Sequence, residues 1–178
     1  MWIALAAAVV LFVAAIWLYN RLIAARNLAR QGLADIDVQL KRRADLVPQL
    51  VEAVKGYAGY EKALLTTVTE LRSSALGAQG SEARFALERQ LGARLQQLVL
   101  LQENYPQLKA DANFRDLSGK LVEVEDHLQY ARRFYNGAVK QYVTRLESFP
   151  DVIVARLFRF EALPFFETDD REAVKVAL

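Results

Sequence analysis

No charged residue occurs between Met1 and Tyr19, and the run is built from Ala, Val, Leu, Ile, Phe and Trp. About 20 apolar residues in a helix cross the hydrocarbon of a bilayer, and roughly 17 can suffice. Trp2 at one end and Trp17 with Tyr19 at the other put amphipathic rings where headgroups would lie, and Arg21 follows at once. Residues 1–19 are therefore expected to form a transmembrane helix with Trp2, Trp17, Tyr19 and Arg21 as its interface anchors. A cleaved signal peptide fits less well. No basic residue precedes the run, and its exit, Trp-Leu-Tyr-Asn-Arg, offers no small-residue cleavage site. The segment also accounts for a hydrophobic share of 53%, a little above that of a soluble domain.

Arg21, Arg26 and Arg30, then Lys41, Arg42 and Arg43, follow the span, and no basic side chain precedes it. By the positive-inside rule the larger part of the chain is expected in the cytoplasm. The membrane-proximal arginines have an unspecific role open to them, contact with anionic headgroups. The net charge of +2 and the interleaving of acids with bases leave no nucleic-acid footprint.

Beyond the span every periodic segment is helical. Ala29, Leu33, Ile36, Leu40, Ala44, Val47, Val51, Val54 and Ala58 recur at steps of three and four, the narrow stripe of a helix lying along a bundle. Pro48 should kink it, and Gly56 with Gly59 should turn the chain. A second helix is expected from Tyr60 to about Ala75 with Tyr60, Leu64, Val68 and Leu71 inward. A third, capped by Ser81, should carry Leu87, Leu91, Leu95, Leu98 and Leu101 inward to Tyr105, where Pro106 stops it. After a seven-residue linker, Asn113 with Asp116 forms a near capping box. The fourth helix has the clearest stripe: Phe114, Leu117, Leu121, Val124, Leu128, Ala131, Tyr135, Ala138 and Tyr142. Phe149-Pro150 ends it. Tyr135 and Tyr142 belong to the core, whereas Tyr130 lies off the stripe. The fold class is all-α: a transmembrane helix (1–19) continuing into an elongated antiparallel four-helix bundle (20–150). The segment 151–178 begins too apolar to hang in water and should dock on the bundle or on a neighbouring subunit.

The run Asp35-Ile36-Asp37-Val38-Gln39-Leu40-Lys41-Arg42-Arg43, continued by Asp45-Leu46-Val47-Pro48 and Val54-Lys55-Gly56-Tyr57, resembles the signature of the LemA family. Glu103-Asn104-Tyr105-Pro106, Asn113-Phe114, Ala131-Arg132, Tyr135-Asn136, Phe149-Pro150 and Phe165-Phe166-Glu167 follow in the order of that family's landmarks. Tyr142-Val143 departs from it by replacing a second Tyr-Asn, and Arg159-Phe160 by replacing a Gly-Phe. The resemblance covers nearly the whole chain. It implies a bacterial protein with one N-terminal membrane helix and a four-helix bundle, and it leaves the function open, since no enzymatic reaction is established for the family as a whole.

The residues agree in offering no catalytic apparatus. Glu-x-x-His pairs would be needed for a di-metal bundle, but Val124 stands three before His127, the only histidine. Glu123, four before it, makes a surface Glu–His contact the plain reading. Without cysteine there is no zinc site, and no nucleophile or phosphate-loop pattern occurs. No catalytic, metal or cofactor site is expected. Asp37, Lys41 and Asp45 form an acid–base–acid ladder at spacing four, worth about 0.2–0.5 kcal/mol per pair when exposed. With Asp35, Arg42 and Arg43 they are either a solvated face or a candidate interaction surface. The leading expectation is a non-enzymatic membrane-anchored scaffold in a bacterial inner membrane. Its partners would be the lipid bilayer and a second copy or another membrane protein. A ligand- or peptide-sensing module signalling through its anchor is the alternative.

Overall fold

The computed structural model describes residues 1–57 and 61–166, and its regular elements there are all helical. Helix α1 (Trp2–Lys55) is one uninterrupted rod of 54 residues, about 80 Å at 1.5 Å per residue. Helix α2 (Lys62–Gly77) and helix α3 (Ser81–Leu100) form a hairpin, and a 3-10 turn (Leu101–Glu103) follows. The short α4 (Pro106–Ala110) leads to α5 (Ala112–Glu147), and α6 (Asp151–Leu157) closes the regular structure.

Contacts fix the directions. Going along α1, Arg21, Gly32, Arg43 and Tyr57 meet Arg145, Tyr135, Glu125 and Asp111 in turn, so α5 runs back antiparallel to α1 over its whole length. A Cβ on Gly32 would stand 3.0 Å from the Tyr135 Cα, so the glycine is what lets the two backbones approach there. Helices α2 and α3 cover only the distal half of this pair, and the rest is covered by α6 and the chain from Phe158 to Phe166.

Three cores lie in series. The distal one joins Val47, Val54, Val68, Leu95 and Phe114, the middle one Ile36, Leu40, Phe85, Tyr135 and Phe166. The third, at the proximal end, packs Leu18 and Leu22 against Val154 and Ala155. The stripes read from the sequence supply most of these residues. Tyr135 and Tyr142 are buried and Tyr130 is exposed, as expected. In α3, Phe85 and Glu88 are buried ahead of Leu91, and Leu87 is only half-buried.

Helix α1 runs on through Pro48, as expected, while several later boundaries differ from those read in the sequence. Proline cannot donate to the carbonyl four residues back, but the Ala44 oxygen is not left bare: Arg72 Nε of α2 donates to it at 2.7 Å. The proline thus creates an acceptor that a neighbouring helix uses. Gly56 caps α1, while Ala58, Gly59 and Tyr60 lie outside the described residues. Helix α3 stops at Leu100, and Pro106, expected only as a stop, takes the first position of α4 inside the supposed linker. Ser81 makes no side-chain cap; Gly80 holds the cap position at φ 87°, a region open to glycine. The cap of α5 is Asp111 rather than Asn113. Its Oδ1 accepts the Phe114 N–H at 2.7 Å, and its Oδ2 accepts the Tyr57 hydroxyl at 2.9 Å. Those two bonds, the first above all, hold the Asp111 carboxyl below its ordinary value.

Candidate functional site

The polar residues of the α1 signature do not share one surface. Arg43, expected on it, is fully buried. Its position, one residue before Ala44, points it between α3 and α5. Nη1 donates to Glu125 Oε1 at 2.7 Å, and Nη2 donates to the Glu88 carbonyl at 2.7 Å and to Glu88 Oε2 at 2.5 Å. Burial alone would lower the Arg43 pKa. Glu125 and then Glu88 outweigh it, so the guanidinium ends above its ordinary value. A Cβ on Gly92 would meet Nη1 at 3.0 Å, so the α3 backbone passes directly over the guanidinium.

The other signature residues divide. Asp37 turns to α3, with Oδ1 2.9 Å from Arg84 Nη1, an ion pair whose N–H is not aimed as a hydrogen bond. Asp35 borders an open groove of about 330 Å³ between α1 and α5, lined also by Val38, Gln39, His127, Tyr130 and Phe134. Lys41, Arg42 and Asp45 face solvent. His127 Nε2 stands 3.8 Å from Glu123 Oε1, the exposed one-turn contact read from the sequence. Among the described residues no group of three or more His, Asp or Glu is placed to hold a metal ion.

A second constellation was not foreseen as a unit. The C-terminal segment docks on its own bundle as a strap. The Asn136 side chain pairs with the Phe166 backbone in both directions, Nδ2 to O and Oδ1 from N, each at 2.9 Å. Tyr135 donates its hydroxyl to the Pro164 carbonyl at 2.6 Å, and Tyr142 donates to that of Glu161 at 3.0 Å. Phe166 is clamped between Phe85, with ring centroids 4.2 Å apart, and Arg132, whose Cζ lies 4.3 Å over the ring. Arg26 stacks on Phe160 of the strap at 5.2 Å. Tyr135-Asn136 and Phe165-Phe166, quoted above as landmarks, are therefore the two halves of one docking contact.

These surroundings displace titrations. Burial, and after it repulsion from Arg43, holds the Arg132 guanidinium down to about 10, while burial pushes the Tyr135 and Tyr142 phenols up. A phenol raised on folding stabilises the fold below its unfolded pKa, and that contribution is lost as pH rises through the folded one. Tyr142→Phe is therefore expected to lose less stability than wild type between pH 9 and 11 in urea titrations.

What these contacts define is a helical bundle on a rod whose first part, as far as Trp17, is apolar and exposed. The N-terminal part of α1 is long and apolar enough to cross a membrane, by length and composition. The chain belongs to the LemA family, which it matches over residues 32–178. It is also similar to the magnetosome proteins MamQ 1 and MamQ 2 of Paramagnetospirillum magneticum (strain ATCC 700264 / AMB-1). Each is 22% identical over 186 residues, covering 89% of this chain and 68% of the relative.

Proposed function

We propose that this protein is a non-catalytic scaffold of a bacterial inner membrane, anchored by residues 2–19 with its bundle in the cytoplasm, where it self-associates and organises the membrane. The observation that carries the reading is α1 itself. One continuous helix joins a charge-free stretch, exposed as far as Trp17, to a bundle held by packing and an internal ion cluster. Such a helix fixes the bundle to the bilayer with no flexible joint. The magnetosome association stays with the two relatives at this level of identity.

Self-association is supported by the groove between α1 and α5. Val38, Tyr130 and Phe134 are exposed beside it, on the face that neither α3 nor the strap covers. Aromatic residues surrounded by charge suit a protein interface, and Asp35 and Arg133, which stacks on Tyr130 at 4.6 Å, supply both signs. The test is the mass of the detergent-extracted full-length protein beside a chain starting at Asn20, by light scattering. A defined oligomer that Tyr130→Ser with Phe134→Ser reduces to monomer is the expected result. Monomers in both chains, well above cellular concentration, would refute self-association. For the orientation, Gln79→Cys, on the exposed turn between α2 and α3, is expected to stay unlabelled by an impermeant thiol reagent in intact cells. Labelling would reverse the orientation.

A further inference from the structure

Among the described residues outside the N-terminal run, the two most exposed large apolar side chains, Phe149 and Leu157, lie at one place with Ile153 and Phe158, the turn into α6 and its outer face. Phe149, Ile153, Leu157 and Phe158 are each more than half exposed. Ile153 and Leu157 lie one turn apart, opposite the buried Asp151, Val154 and Ala155. Four large apolar groups presented together to water are unfavourable relative to burial.

Their height along α1 says what covers them. Val154 and Ala155 pack on Leu18 and Leu22, and the Phe158 ring meets Tyr19 edge-on at 4.9 Å. Asp151 Oδ2 stands 3.9 Å from Arg21 Nη1, and the same guanidinium lies 5.3 Å over Trp17. Helix α6 is thus level with the last aromatic residues of the charge-free run and the first arginine after it. If residues 2–19 span the bilayer, that level is the headgroup layer. A second copy on this face would have to share the layer with lipid.

We propose that α6 is a second membrane contact: an interfacial helix whose outer face, Phe149, Ile153, Leu157 and Phe158, enters the lipid surface beside the transmembrane helix. The inference rests on the membrane-anchor reading. Arg156 and Arg159, exposed at the end of the helix, meet phosphate oxygens of the headgroups. Because α6 also packs on α1 and α5, it props the rod against the bilayer and fixes its tilt. An anchor helix alone would leave the rod free to lean.

The chain has no cysteine, so single environment-sensitive fluorophores can be placed by substitution at exposed positions of the full-length protein. Ile153→Cys, Leu157→Cys, Val122→Cys and Val10→Cys are labelled and reconstituted in phosphatidylcholine–phosphatidylglycerol vesicles containing spin-labelled lipid. The probes at 153 and 157 are expected to be quenched by shallow spin labels about twofold or more over the probe at 122, and shielded from iodide. The probe at 10 is expected to be quenched by deep labels. Quenching at 10 with 153 and 157 matching 122 would overturn the interfacial helix and leave the anchor intact. No quenching at 10 would overturn both. Shielding from iodide at 157 without lipid quenching would mean a protein partner on this face and would also overturn the proposal.

Discussion

Replacing Arg43 by alanine is expected to destabilise the bundle by about 3–5 kcal/mol, the usual cost of removing one partner of a buried ion pair. The loss falls mainly on Glu88, whose side chain is 3% exposed and would lose its ion-pair partner in the interior; Glu125, at 31%, can turn to water. The Glu88 carbonyl loses a donor as well. Arg43→Met with Glu88→Leu removes both charges and fills the same space, so it is expected to recover most of that loss and could exceed wild type. Gly92→Ala separates the explanations. On helix propensity alone it should gain about 1 kcal/mol. Here its Cβ meets a guanidinium pinned by two carboxylates and a carbonyl, so it is expected to destabilise wild type and to stabilise the Arg43→Met, Glu88→Leu background. Urea unfolding of the four chains checks this. Equal effects of Gly92→Ala in both backgrounds would show that the α3 glycine is not there for Arg43.

The cluster also explains why a core should contain charge. Leucines and valines on straight helices tolerate a slide of one turn, because one stripe resembles the next. Arg43 finds its acceptors at one register of α1, α3 and α5 only.

Most of the architecture is legible because long amphipathic helices repeat their signal many times. The α5 stripe was read from Phe114 to Tyr142, and only Ala131 along it is less than buried. What escaped is what depends on a single contact across the fold. Arg43 reads as a charge at the edge of a stripe until Glu88 is known to face it. Glu88 left a trace, standing where the spacing of Leu91 and Leu95 calls for an apolar residue, and a phase set on Leu87 passes over it. The sequence offers Asn113 as the cap of α5, but the cap used is Asp111, which the Tyr57 hydroxyl joins from 54 positions away. Ala44 and Arg72 cannot be paired from sequence, since a freed carbonyl leaves no mark on it. The strap has no period at all. Its apolar content announced that it must dock, and only the fold shows that it docks on its own chain.

Phe166→Ala is expected to be the second most damaging single change, because its ring is the strap's fully buried apolar anchor. Truncating a buried phenylalanine costs about 3–5 kcal/mol when the surroundings cannot collapse. A segment without regular structure has another outcome: the strap from Phe158 to Phe166 can come away whole, which limits the loss to its docking free energy and bares Phe85. The two outcomes differ in hydrogen exchange. A cavity in a docked strap leaves the backbone N–H of Phe166 on Asn136 protected, whereas release unprotects it and leaves α5 protected through Tyr142. Release is the expected result. The strap is held by the Phe166 ring, the Asn136 pair and two tyrosine hydroxyls, with no regular hydrogen-bond ladder to close over a void. Release would also uncover Arg132, whose guanidinium, held at about 10 chiefly by burial, should climb toward its ordinary value. Phe165→Ala is the control. Its ring is 41% exposed, and its removal is expected to cost under about 1 kcal/mol. Equal costs at 165 and 166 would mean that the strap is not held by the pocket between Phe85 and Arg132.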